Sequence, residues 1–284
     1  MTTASQAAAP TFGRVGLWRA AVLLTPELAT AVERLGYGTI WIGGSPAADL
    51  RIAEQLLDAT EHVTITTGIV NIWQSPAAEV AASFHRLEQR HPGRFVLGIG
   101  IGHREALGDQ YEKPYAALVT YLDTLDAEGV PAQRRVVSAL GPRTLRLSAE
   151  RSLGTHPYLT TPAHTRFARD IVGPGTLVAP EQRLVPTTDV AVARETGRGF
   201  LARYLTLANY RRTLEPHGFT AAELDDGATD AAVDALAPHG TPAELAKTVQ
   251  GHLDAGADHV CVQLLPATED PLPGLEALAS ELDL

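Results

Sequence analysis

Leu253-Asp254-Ala255-Gly256-Ala257-Asp258-His259-Val260-Cys261-Val262-Gln263-Leu264 is the stretch whose reading decides the fold. Leu245, Val249 and Leu253 lead into it at helical spacing, so one helix face is apolar. Gly256 then offers the left-handed residue on which helices commonly stop. His259–Leu264 follows at once as a short run rich in apolar and β-branched residues. Helix, tight turn and buried strand in such close succession are half of a parallel-sheet repeat.

Working outward, runs of the same kind stand at Val15–Trp18, Thr39–Ile42, Val63–Ile72, Phe95–Ile99, Arg135–Ala139, His156–Leu159 and Thr176–Val178, which with the last makes eight. Helical spacing returns between them, as in Leu28, Ala31, Val32 and Leu35, or Val80, Ala81, Phe84 and Leu87. Pro26, Pro76, Pro142, Pro162 and Pro242 suit first helical turns, where a missing N–H costs nothing, and Thr241 can cap the last of these. Gly36 and Gly256 suit helix ends, and a final helix follows from Pro271. The pattern predicts an α/β fold, a (β/α)8 TIM-type barrel. A doubly wound open sheet uses the same elements, but eight runs and a closing αβα favour the barrel. Residues 1–12 read as a flexible tail and 13–284 as one domain, with a helical insertion over 187–240 before the last strand.

The 284 residues, 45% hydrophobic and 20% charged, supply a large core. A net charge of -10 disfavours a nucleic-acid partner, which needs a cationic surface. No apolar run approaches the roughly 18 residues of a membrane span, and the opening residues lack the pattern of an export signal, so a cytoplasmic location is expected. Cys261, the sole cysteine, sits between Val260 and Val262, reads as a buried thiol and excludes an internal disulfide. No cluster has metal-ligand spacing, and no metal is expected.

In a parallel barrel the strand-to-helix loops form the reactive face. They are Ile42-Gly43-Gly44-Ser45, Val70–Ser75, Gly98–His103, Ala139–Arg143, His156-Pro157-Tyr158 and Glu181-Gln182. The alternate glycines Gly98, Gly100 and Gly102 form either an open wall for a flat ligand or a place where strands pack closely. A dinucleotide fingerprint is disfavoured, since His103 takes the place of its last glycine. Gly141-Pro142-Arg143 precedes a helix expected over Thr144–Ser152, whose free N–H groups and dipole suit an anion, with Arg143 as a bidentate donor. Its bland reading is an ordinary helix start. His103 and His156, both at strand ends, are the candidate catalytic groups, able to hold a polarised carbonyl or move a proton. Either, taken alone, is more often structural. Trp41 and Trp73 suit ring stacking or the core, while His85, Arg86 and Glu88 look like an exposed helix face.

Gly36-Tyr37-Gly38-Thr39-Ile40-Trp41-Ile42-Gly43, Thr67–Trp73, Arg94–Gly100 and Ala139-Leu140-Gly141-Pro142-Arg143, in that order, resemble the luciferase-like superfamily, and within it the deazaflavin-dependent oxidoreductases. The resemblance runs from about Gly13 to Leu282. It implies an oxidoreductase holding coenzyme F420 at the strand ends and passing hydride to or from a small organic substrate. A third-strand bulge at Ile69, Val70 and Asn71, often with a cis peptide, would meet the ring. Gly100, Ile101, Gly102 and His103 would flank it, Ala139, Gly141, Pro142 and Arg143 would take the phosphate, and His156 and Tyr158 would border the pocket. Arg104, Lys113 and Arg143 would suit the anionic tail of F420. The sugar-phosphate dehydrogenases of that family carry a histidine and a glutamate where this chain has Gly44-Ser45 and His103, which argues against that substrate class. An FMN-dependent monooxygenase and a non-catalytic relative are the alternatives. The resemblance also implies a homodimer through Ala77–Gln89, whose Ala77, Ala78, Ala81, Ala82 and Ser83 suit close helix packing.

Overall fold

Every strand pairing among the described residues, 10–108 and 111–284 of this computed structural model, is parallel. The strands are β1 (Val15–Ala20), β2 (Thr39–Gly43), β3 (Thr64–Thr67), β4 (Val70–Asn71), β5 (Phe95–Gly100), β6 (Arg135–Val137), β7 (Gly154–Thr155), β8 (Leu177–Val178), β9 (Glu181–Leu184) and β10 (Val260–Leu264). Their order is β8-β7-β6-β5-β3-β2-β1-β10-β9, with β4 also on β5.

Two pairs of these are halves of one strand. Thr66 faces Val96 but Val70 faces Ile99, so one residue between β3 and β4 has no counterpart on β5, which defines a bulge. β8 pairs with β7 and β9 with β10, and only Ala179 and Pro180 separate them. Hydrogen bonds bridge this break on both sides: Ala179 N to Thr155 O and Glu181 N to Pro157 O, then Cys261 N to Pro180 O. The two ends of the sheet therefore meet on one interrupted strand, and the ring closes as an eight-stranded barrel.

Helices follow the strands: α1 (Pro26–Arg34), α2 (Arg51–Asp58), α3 (Ala77–Arg90), the short α4 (Arg104–Leu107), α5 (Pro114–Ala127), α6 (Pro142–Arg151) and α7 (Pro162–Val172). After β9 come α8 (Val190–Tyr204), α9 (Ala208–Leu214), α10 (Ala221–Leu224) and α11 (Asp230–Leu236), then α12 (Pro242–Asp254); α13 (Leu272–Glu281) follows β10. The expected helical insertion is thus α8 to α11. Thr241 caps α12 in a reciprocal box with Glu244, and Gly36 and Gly256 take φ of 88° and 100° after α1 and α12. No helix among the described residues is long and apolar enough to cross a membrane.

Alternation along the strands sorts the core into two layers. Leu17, Ile40, Ile42, Leu97, Ile99 and Val262 pack outward against helix residues such as Val32, Leu57, Phe84 and Leu122. Trp18, Trp41, Val96, Val136 and Cys261 fill the interior with Phe12. Phe12, expected at the end of a loose tail, is only 7% exposed. Its carbonyl accepts from Thr39 Oγ1 at 2.7 Å and that of Thr11 from Thr64 Oγ1 at 2.9 Å, so these residues close the barrel's floor. The rest of the expected tail, residues 1–9, lies outside the described residues.

Four expectations are corrected. β7 is Gly154–Thr155 rather than His156–Leu159: a Cβ at Gly154 would lie 2.0 Å from Leu177 O, and Pro157 has no N–H to continue the ladder. β9 falls in a segment expected to be loop, because its polar Glu181, Gln182 and Arg183 are all buried. α6 begins at Pro142 rather than Thr144. On α3, Ala77, Ala81 and Ser83 are buried against the chain's own barrel, leaving Ala78 and Ala82 exposed.

Candidate active site

The mouth of the barrel is shaped by the bulged third strand. The Gly68–Ile69 peptide is cis, and Trp18 Nε1 donates to Gly68 O at 3.1 Å. Thr67 Oγ1 donates to Gly98 O at 2.7 Å and accepts from Gly98 N at 2.8 Å, replacing ladder bonds that the bulge interrupts. A Cβ on Gly98 would lie 1.7 Å from Thr67 O, so this glycine serves close strand approach. Gly43 serves the same end, since a Cβ there would lie 2.1 Å from the Trp18 ring. On Gly100 a Cβ would sit 2.8 Å from Ile69 Cγ1, which makes Ile69 and Gly100 adjoining surfaces.

Of the three bulge residues expected to meet a ring, Ile69 alone is part-exposed at the mouth. Val70 is buried in the layer facing the helices, and Asn71 folds into a turn, its Oδ1 accepting from Trp73 N at 3.0 Å. Ile101 and Gly102 remain part-exposed; Gly102 takes φ of 68°, and Ile101 O accepts from Trp73 Nε1 at 2.8 Å.

His103 follows, half-buried, with its ring 5.3 Å from that of Tyr210 and Nδ1 buried without a partner. Burial lowers its pKa from 6.5 and nearby Arg203 adds to this, while Asn209 and Glu105 oppose it. The imidazole is therefore neutral near pH 7.

Gly141, Pro142 and Arg143 lie exposed at the head of α6. A Cβ on Gly141 would meet nothing within 4 Å, so the space before the helix is open to a ligand. Arg143 lies 3.6 Å over the Tyr115 ring, which stations its guanidinium at that end. Ala139 does not share the site: its side chain packs with Leu145 and Ala168 on the helix side.

His156, expected in the pocket, lies beneath it. The ring is 1% exposed, stacks on Trp41 at 4.2 Å and donates through Nδ1 to Ala179 O at 2.8 Å. Its Nε2 has no partner and faces Gly68, where a Cβ would be 3.3 Å away. Desolvation lowers its pKa to about 4, so the ring is a neutral part of the interior column, not a group that reaches the mouth. Trp41 completes that column by donating to His259 Nε2 at 3.0 Å, the core role rather than ring stacking.

Tyr158 does border the mouth, its OH donating to Gln263 Oε1 at 3.0 Å. Around it are Glu181, which the sequence places on the strand-to-helix face, and groups that reading the sequence missed: Arg183, Phe200, Tyr204 and Tyr210. Glu181 and Arg183 are both wholly buried, paired through Arg183 Nε to Glu181 Oε1 at 3.0 Å, while Arg183 Nη1 has no partner. Burial raises the Glu181 carboxyl against the pull of Arg183. Phe200 and Tyr204 of α8 and Tyr210 of α9 roof this part of the mouth; Tyr204 lies 5.6 Å from Tyr158, and Ala208 N donates to Glu105 Oε1 at 3.1 Å. Period-two alternation from Cys261 would have turned Gln263 inward, but nothing in the sequence marks Glu181 and Arg183 as inward-facing.

Residues 24–127 match the sequence model of the luciferase-like monooxygenase family. No curated protein matches the chain. Among solved structures it is similar to an F420-dependent tetrahydromethanopterin reductase from Methanopyrus kandleri, with a TM-score of 0.75 at 16% identity over 95% of this chain and 98% of that one. It is also similar to an F420-dependent secondary alcohol dehydrogenase in complex with an F420-acetone adduct, at TM-score 0.74, 14% identity, 96% and 99%. The FMN-bound oxygenating constituent of 3,6-diketocamphane monooxygenase from Pseudomonas putida gives 0.70 at 15% identity over 96% and 98%.

Proposed function

For a chain whose residues 24–127 match the luciferase-like monooxygenase family model and whose described residues fold as a (β/α)8 barrel, we propose an oxidoreductase that uses coenzyme F420 to exchange hydride with a small organic substrate. The observation that carries the reading is the bulged third strand, which leaves Gly68 and Ile69 part-exposed beside Gly100–His103. A flat ring fits against that apolar shelf, and the open head of α6 with Arg143 fits a phosphate. Exposed Arg104 and Lys113 add positive charge for an oligoglutamate tail. When bound, F420 supplies a two-electron hydride donor or acceptor.

The chain's own residues supply the rest. Ile69 and Trp18 exclude water from the shelf, and the cationic groups orient the tail. His103, neutral near pH 7 with Nδ1 unpartnered, takes or returns the proton that accompanies hydride transfer. The second reading, an FMN-dependent monooxygenase, draws on the same α6 head, which suits a single terminal phosphate equally well.

Titrating the protein with F420 and, separately, with FMN while following fluorescence distinguishes the two. Saturable binding of F420 with weak or absent FMN binding is expected; the reverse preference replaces the first reading with the second, and binding of neither points to a non-catalytic relative. With a turned-over substrate in hand, His103→Ala should lower turnover by about 10²-fold or more. Unchanged turnover and cofactor affinity would remove His103 from the mechanism.

A further inference from the structure

Arg183 is a wholly buried guanidinium with one nitrogen, Nη1, left without a partner. Leaving a charged donor unmatched in the interior is costly, and such groups are normally satisfied by protein, water or ligand. Its position is fixed firmly. Nε and Nη2 engage Glu181, the Tyr158 ring centroid is 5.5 Å from Cζ and the Phe200 centroid 5.9 Å. Tyr158 is itself held by Gln263. Arg183 projects from the next-to-last residue of β9, inside the barrel at its mouth end.

We propose that Arg183 Nη1 anchors the carbonyl oxygen of a neutral ketone substrate, with Tyr158, Phe200 and Tyr204 enclosing its apolar body. This deepens the oxidoreductase reading and rests on it. Charge decides between ligand types. Glu181 already balances Arg183, so a carboxylate brought to Nη1 would also meet the Glu181 charge, whereas a neutral carbonyl needs only the spare N–H groups. Aromatic walls suit an apolar body. The proposal requires a way in under the last turn of α8, directly after Gly199. A Cβ there would meet nothing within 4 Å, so packing does not require a glycine, and its presence weakens the helix where the roof must lift.

Cyclohexanone and benzoate serve as matched ring probes, one neutral and one anionic, with binding to the full chain followed by saturation-transfer NMR and by titration. Cyclohexanone should bind at least tenfold more tightly than benzoate. The double variant E181Q/R183M removes both charges together while Gln retains an acceptor for Leu159 N, and it should weaken cyclohexanone at least tenfold with near-UV circular dichroism unchanged. Should that variant not fold, Arg183→Lys keeps the charge for Glu181 but lacks a second nitrogen, and it should show the same loss. Tighter benzoate binding, no cyclohexanone binding, or equal affinity in a folded variant overturns the anchor. The F420 titration is read separately: ketone binding with no F420 response would sink the cofactor reading and leave the anchor standing.

Discussion

Trp18 governs the geometry of the mouth from one position in the second half of β1. Its ring occupies the space that Gly43 leaves, its Nε1 holds Gly68 O, and its face lies 5.3 Å from Tyr158. Gly68→Ala would place a methyl 2.9 Å from Trp18 Nε1 and 3.3 Å from His156 Nε2. Neither ring is a flexible chain end, so the backbone or Trp18 must shift, at about 1–3 kcal/mol. A lowered thermal midpoint with altered tryptophan emission is expected; an unchanged midpoint would mean that the mouth is looser than these contacts describe. The same crowding explains why the sequence alone left the role of the glycines open. Glycine marks close approach, but whether strand, side chain or ligand approaches depends on neighbours far away in the chain, such as Thr67 for Gly98 and Ile69 for Gly100.

At the scale of elements, local chemistry sets what α8 and α12 can tolerate. Gly199→Ala should raise stability by about 0.5–1 kcal/mol, since it removes backbone freedom without creating a clash. It should also slow ligand access if the end of α8 lifts; equal stopped-flow binding rates would argue against that motion. Thr241→Ala removes the hydroxyl that accepts from Glu244 N, leaving the bond from the residue 241 N–H to the Glu244 carboxylate, and should cost about 1 kcal/mol in urea denaturation. Caps, prolines and glycine stops were legible in the sequence because they act within a few residues. Most strands were legible because their outward faces carry Ile, Val and Leu. β9 was not, because Glu181 and Arg183 satisfy each other inside the barrel, a pairing that removes the apolar signal a strand normally shows. His156 was misplaced for a related reason: its burial depends on Trp41, from a distant strand, stacking against it.

The whole molecule carries an acid sensitivity that its surface charge does not explain. His156, His164 and His259 fall to about 4 and His252 to about 3, from an ordinary 6.5, chiefly through desolvation. Each is neutral in the fold, while the unfolded chain takes up protons as pH drops through about 6.5. Folding stability is therefore full above that pH and declines toward pH 4, by up to about 1.4 kcal/mol per pH unit for each histidine. Urea midpoints should fall between pH 7.5 and 5, before most carboxylates titrate. A flat profile to pH 5 would show that these rings are hydrated or already protonated.

The interrupted strand formed by β8 and β9 has a consequence for how the chain is made. Until residues 177–184 join both β7 and β10, the growing polypeptide is an open, twisted sheet. β10, near the end of the chain, must seal against β1 from its beginning. During synthesis β1 therefore waits as an uncovered edge, able to pair with another nascent chain, while almost the entire sequence is translated. Such long-range closure makes folding slow. Chaperone demand should consequently rest on the interval between emergence of β1 and emergence of β10, and shortening that interval by circular permutation should relieve it.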